Sequence, residues 1–150
     1  MINRGFGGSE VRDSTWYADR IVIPYAPRQV VLYAGDNDLN SGRSPEQVRD
    51  DVVAFVTRIR SALPQARIGY LSIKPSPSRA QLLPAIVRAN QLIKQALAKV
   101  PRTDYIDIYT PMLDATGKPR PELFREDMLH MKPEGYALWR KAVAPVLERK

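Results

Sequence analysis

Apolar residues fall along this chain in two alternating patterns. Three short runs are almost continuously apolar: "QVVLYAG" (Gln29 to Gly35), "ARIGYLSIK" (Ala66 to Lys74) and "DYIDIY" (Asp104 to Tyr109). Continuous rather than in-out character suits parallel strands covered on both faces, so each run predicts a buried strand. Between the runs, apolar positions recur at helical spacing. In "SPEQ", Ser44 can cap a helix, Pro45 fits its first position and Gln47 completes a capping box. Val48, Val52, Phe55, Val56, Ile59 and Leu63 then form one stripe, closed by Pro64. A second stripe runs through Leu82, Ile86, Ala89, Ile93 and Leu97 and ends before Pro101. A closing helix opens at Pro133 and is expected to bury Tyr136, Trp139, Val143 and Leu147, and the segment from about Asp13 to Ile23 predicts another helix.

Strands alternating with helices predict a three-layer α/β fold around a parallel sheet with right-handed crossovers. Such sheets carry their functional loops at the carboxyl ends of the strands, which directs attention to "GDNDLNSG", "PSPSR" and the loop before the closing helix.

Composition narrows the chemistry. With 150 residues and 44% hydrophobic content, the chain fits one domain, taken as residues 1–150, with a real core. Having no cysteine, it has neither disulfides, thiolate zinc sites nor a cysteine nucleophile. No apolar run reaches bilayer length, so no membrane span is expected. "MINRGFGG" lacks the layout of an export signal; as written the protein is expected in the cytoplasm, unless an upstream signal precedes it. The net charge of +7 comes from Lys and Arg scattered among acids, which reads as a solvated face rather than a nucleic-acid surface.

The loops contain the candidate chemistry. "YAGDNDL" puts Asp36, Asn37 and Asp38 at the mouth of the sheet. Gly, Asn and Asp favour turns for local hydrogen-bonding reasons, but the Asn37 amide could also donate to a developing oxyanion. In "NRGFGGSE" three glycines within four positions let backbone N–H groups approach a ligand, so Gly8 could supply a second donor. "FREDMLHMKPEGY" holds the only histidine, His130, three residues after Asp127. Asp127 could accept from Nδ1–H, fix the tautomer and leave Nε2 free to take a proton, making an oriented general base.

Taken in order and spacing, "NRGFGG", "AGDND" and "DMLHMKPEGY" resemble the second, third and fifth blocks of the SGNH, or GDSL-like, hydrolases. The resemblance covers essentially the whole chain. It implies a flavodoxin-like three-layer fold, serine esterase or acylhydrolase activity without a cofactor, and a small-molecule, carbohydrate or lipid ester substrate. Carried over by position, it implies Gly8 and Asn37 as oxyanion donors, His130 as base and Asp127 as its orienting acid.

The family's first block, which supplies the nucleophilic serine after the first strand, is absent from these residues. Ser9, beside Gly8, is a weak internal candidate for the nucleophile, since the family uses that position for backbone and polar contacts. Ser76 and Ser78 lie in a loop, Ser44 is committed to a cap, Ser61 to a helix and Ser72 to a strand. The expectation is that the nucleophile and the first strand lie upstream of Met1, and that this chain alone could pair with another copy through the missing-strand slot. Two other readings stand beside the esterase: a non-catalytic binding module that keeps the pocket, and a divalent metal held by Asp36, Asp38, Asp127 and His130, which the single imidazole disfavours.

Overall fold

The computed structural model describes residues 1–147. Its sheet has three parallel strands, β1 (Gln29–Leu32), β2 (Arg67–Leu71) and β3 (Thr103–Ile106), in the order β1-β2-β3. Register pairs Val30 with Ile68 and Tyr70 with Tyr105. The helices are α1 (Val11–Ile21), α2 (Asp36–Asn40), α3 (Pro45–Ala62), α4 (Leu83–Leu97) and α5 (Pro133–Leu147).

The local signals act as their chemistry requires. Ser44 Oγ accepts the Gln47 N–H at 3.2 Å, and the Gln47 side chain accepts the Ser44 N–H at 2.8 Å, completing the capping box of α3. α1 starts with a box of the same kind between Glu10 and Asp13. Val30, Leu32, Ile68 and Tyr70 pack with Val48, Val52, Phe55 and Ile59 of α3 and Ile86, Ala89, Ile93 and Leu97 of α4 in one core. Leu71, Ile106 and Ile108 belong to a second core with Val146 of α5. A sheet with helices over both faces is therefore the observed three-layer architecture.

Two expectations need correction. The strands end earlier than the apolar runs, because Ala34, Ile73 and Lys74 leave the ladder yet stay buried. Hydropathy reports burial, not pairing. On α5, Tyr136 and Leu147 are exposed and Trp139 and Val143 only half-buried; the fully buried positions are Gly135 and Val146. The helix seats on its glycine: a Cβ on Gly135 would lie 2.9 Å from the Leu123 carbonyl oxygen. Choosing the large residues as the inner stripe rotated the predicted face away from this contact.

Gly35 ends the first strand segment with φ +128°, and a Cβ there would come within 2.7 Å of Ile73 Cδ1. Backbone strain and overlap act together at this position. Gly35→Ala is expected to cost about 3 kcal/mol of folding stability; urea unfolding with a midpoint unchanged from wild type would contradict this.

Candidate active site

The loop before α5 is built around one carboxylate. Phe124 and Met131 form an antiparallel bridge, the Arg125 N–H donates to the His130 carbonyl at 2.7 Å, and Met128 sits at φ 54°. Inside this tight loop Asp127 Oδ1 accepts the N–H groups of Leu129 and His130, each at 2.9 Å. Its Oδ2 lies 2.6 Å from His130 Nδ1. The His130 hydrogen bond first, then the two backbone N–H groups, hold the Asp127 carboxyl well below the usual carboxylate range. A permanent carboxylate facing Nδ1 keeps the ring proton on that nitrogen and turns Nε2 outward as an acceptor. The ring is 69% exposed, so Nε2 is open to a reactant.

"GDND" opens a short helix rather than a plain turn: Gly35 is the N-cap of α2, the Leu39 N–H donates to its carbonyl at 3.1 Å, and Asp36 accepts the Asn37 N–H at 3.1 Å. Asn37 is half-buried and bonded at both ends of its amide. Nδ2 donates to the Ser9 carbonyl at 3.1 Å, and Oδ1 accepts from Arg79 Nη2 at 3.0 Å. Gly8, at φ +74° in an exposed turn, immediately precedes that carbonyl, and the space about its Cα is open. The two expected oxyanion donors are thus one hydrogen bond and one residue apart. Ser9 directs its hydroxyl to the Phe6 carbonyl at 3.0 Å, closing its own loop.

Beneath Asn37 lies a buried charge cluster that hydropathy did not reveal. Asp36 Oδ2 is 2.5 Å from Lys74 Nζ and 3.2 Å from Arg79 Nη1. Burial alone would raise the Asp36 carboxyl, but Lys74 and Arg79 overcome it and hold the group below its ordinary value. Burial, and then the Asp36 charge, push the Tyr33 phenol far up, so it stays neutral and accepts from Lys74 Nζ at 3.1 Å. A lysine closing an apolar strand run was the available sequence signal, because a buried ammonium needs a partner.

Asp38 serves α1 instead. Fully buried, its carboxylate accepts the Val11 N–H at 3.1 and 3.3 Å at the start of that helix. Desolvation pushes its pKa up to about 6; the Val11 bond opposes this, while Glu10 and Asp51 add to it. A raised carboxyl stabilises the fold fully below its unfolded value of 3.8 and loses that contribution as pH rises through about 6. Relative to wild type, Asp38→Asn is therefore expected to gain about 2 kcal/mol between pH 4 and pH 7. A pH-independent difference in urea unfolding would refute this.

The loop after β2 ties the two halves together: the Ser78 N–H donates to the Met128 carbonyl at 3.1 Å, and Arg79, next in sequence, reaches Asn37. No hydrogen bond joins His130 directly to Gly8, Ser9 or Asn37 among the described residues. Ser72 Oγ is buried and accepts the N–H groups of Ile108 and Tyr109, a structural role. The metal reading loses its geometry. Asp36 and Asp38 are buried while Asp127 and His130 are exposed, and among the described residues no three acidic or imidazole side chains converge. No described helix is long and apolar enough to cross a membrane.

The sequence profile of the GDSL-like lipase/acylhydrolase family matches residues 1–138. The chain belongs to this family. Among its curated relatives, the platelet-activating factor acetylhydrolase IB subunit alpha1 of Pongo abelii is 29% identical over 99% of this chain and 64% of that protein. The chain thus spans just under two thirds of that relative's length. A GDSL-like lipase from Bacteroides thetaiotaomicron superposes with a TM-score of 0.81 at 21% identity, covering 98% of this chain and 75% of that one. A carbohydrate esterase family 3 structure from Talaromyces cellulolyticus gives a TM-score of 0.79 at 18% identity, over 95% and 68% of the two chains. These two likenesses establish a shared fold. Within the GDSL-like framework, the three segments that carried the resemblance are the Gly8 turn, α2 and the His130 loop.

Proposed function

We propose that these residues supply the general base, its orienting acid and two oxyanion donors of a serine ester hydrolase, with the attacking serine upstream of Met1 in the whole polypeptide. The observation that carries this reading is the 2.6 Å contact between Asp127 Oδ2 and His130 Nδ1, with the imidazole exposed. A carboxylate that fixes a ring while leaving it open to solvent prepares Nε2 for proton transfer and contributes little packing.

In the proposed reaction the serine Oγ attacks the acyl carbon while its proton passes to His130 Nε2. Asp127 stabilises the resulting imidazolium. The carbonyl oxygen becomes an oxyanion that accepts from the Gly8 N–H and the remaining Nδ2–H of Asn37. Collapse expels the alcohol, which takes the proton back from Nε2, and leaves an acyl-serine. Water, deprotonated by the same nitrogen, releases the carboxylic acid and restores the enzyme. The names of the relatives direct the first choice of substrate to short acyl esters, including acetylated lipids and carbohydrates.

The test is hydrolysis of p-nitrophenyl acetate and of acetylated xylooligosaccharides by the polypeptide as its gene produces it. Turnover that disappears in His130→Ala supports the proposal. Saturable binding of the ester with no turnover would favour the pocket-retaining binding module instead.

A further inference from the structure

An asparagine can serve an oxyanion only if its NH2 group, and not its oxygen, faces the substrate. The two ends of the amide are nearly the same size, so sterics alone do not choose between them; hydrogen-bond partners do. Asn37 has two partners of opposite and fixed polarity. The Ser9 carbonyl can only accept and takes Nδ2, and the Arg79 guanidinium can only donate and takes Oδ1. Flipping the amide would turn both bonds into like-pole contacts.

We infer that Arg79 is a positioning residue that locks the Asn37 amide in its donating orientation, with Asp36 and Lys74 as the anchor that holds Arg79. The inference rests on the esterase reading above and deepens it. Nη1 and Nη2 of one rigid guanidinium engage neighbouring residues, Asp36 Oδ2 at 3.2 Å and Asn37 Oδ1 at 3.0 Å. Asp36 is itself fixed by Lys74 at 2.5 Å and accepts the Asn37 N–H, so side chain and backbone of Asn37 share one frame. The cluster carries two cations for one anion, and the Arg79 and Lys74 side chains are only 11% and 9% exposed. A cation bonded to an amide oxygen also draws charge toward that oxygen, making the opposite N–H groups stronger donors. Because the same loop donates Ser78 N–H to Met128, Arg79 keeps Asn37 in step with the His130 loop.

Two readouts separate this inference from the esterase reading. In the first, ester hydrolysis is compared in wild type, Arg79→Met, Asn37→Ala and the double variant. Arg79→Met is expected to lower kcat about 10- to 100-fold with KM within about threefold. Arg79→Lys, which keeps a donor for Oδ1, should retain more activity, and the double variant should be no slower than Asn37→Ala alone. A full Arg79→Met loss in the Asn37→Ala background would overturn the inference, because Arg79 would then act independently of the amide.

The second readout needs no turnover. In protein labelled with 15N-asparagine, Arg79→Met should shift, broaden or double the Asn37 side-chain amide signals. Those of Asn90, held by the Ile73 N–H and carbonyl, should stay in place and report an intact fold. If Asn90 also moves in Arg79→Met, the comparison is made in Arg79→Ala, which likewise leaves Oδ1 without a donor. Unmoved Asn37 signals beside unmoved Asn90 signals overturn the positioning role, whether or not the protein hydrolyses esters. Absent hydrolysis in wild type with a displaced Asn37 amide would sink the esterase reading alone.

Discussion

His130→Ala is expected to lower kcat/KM for an acetyl ester about 10³- to 10⁴-fold while leaving thermal stability near wild type. Both halves follow from the geometry. The ring is largely exposed, and its side-chain hydrogen bond is to Asp127, so its removal opens no cavity. The loop conformation depends on the Asp127 bonds to the N–H groups of Leu129 and His130, which alanine preserves. Asp127→Asn is the sharper companion. An asparagine oxygen can still accept those N–H groups, but its NH2 would face Nδ1, make that nitrogen an acceptor and move the ring proton to Nε2, where it blocks the base. The Asp127 carboxyl is held well below the ordinary carboxylate range, so its own protonation should add no step to the pH profile within that range. Full activity in Asp127→Asn would contradict this account.

Asn37→Ala is expected to reduce kcat about 10²- to 10³-fold with a small change in KM, because the donor acts on charge that develops after binding. Alanine also cuts the tie from α2 to the Ser9 carbonyl and could loosen the Gly8 turn. Asn37→Asp shares that loss, because a carboxylate cannot donate to the Ser9 carbonyl, but keeps the contact with Arg79. It preserves size and the acceptor for Arg79 but offers no N–H group, so it should lose as much kcat as Asn37→Ala. Its folding stability, measured by urea unfolding, should remain measurable in the same two-state way. Retention of kcat in Asn37→Asp would show that the amide donates nothing to the transition state.

The sequence carried the architecture because burial on both faces leaves continuous apolar runs, and helices packed on such a sheet leave stripes. α3 is the clearest instance, with cap, proline and apolar stripe agreeing from Ser44 to Leu63. The inner face of α5 is not legible in hydropathy, because its close approach is made by Gly135, a residue hydropathy cannot weigh. "GDND" reads as a turn because turns and one-turn helices use the same residues, and the overlap with Ile73 that reserves position 35 for glycine involves a distant segment. The Asp127 to His130 contact was legible from spacing within one loop. The Asp36, Lys74 and Arg79 cluster was not, since it joins the ends of two strands through tertiary packing.

The central claim is that His130 takes the proton of an attacking serine. It is tested most directly by treating the folded, gene-length polypeptide with a fluorophosphonate and locating the adduct by peptide mass spectrometry, in wild type and His130→Ala. The account predicts one labelled serine, outside residues 1–150, whose labelling rate collapses in the variant. A label on Ser9, no label at all, or labelling that is indifferent to His130 would contradict it.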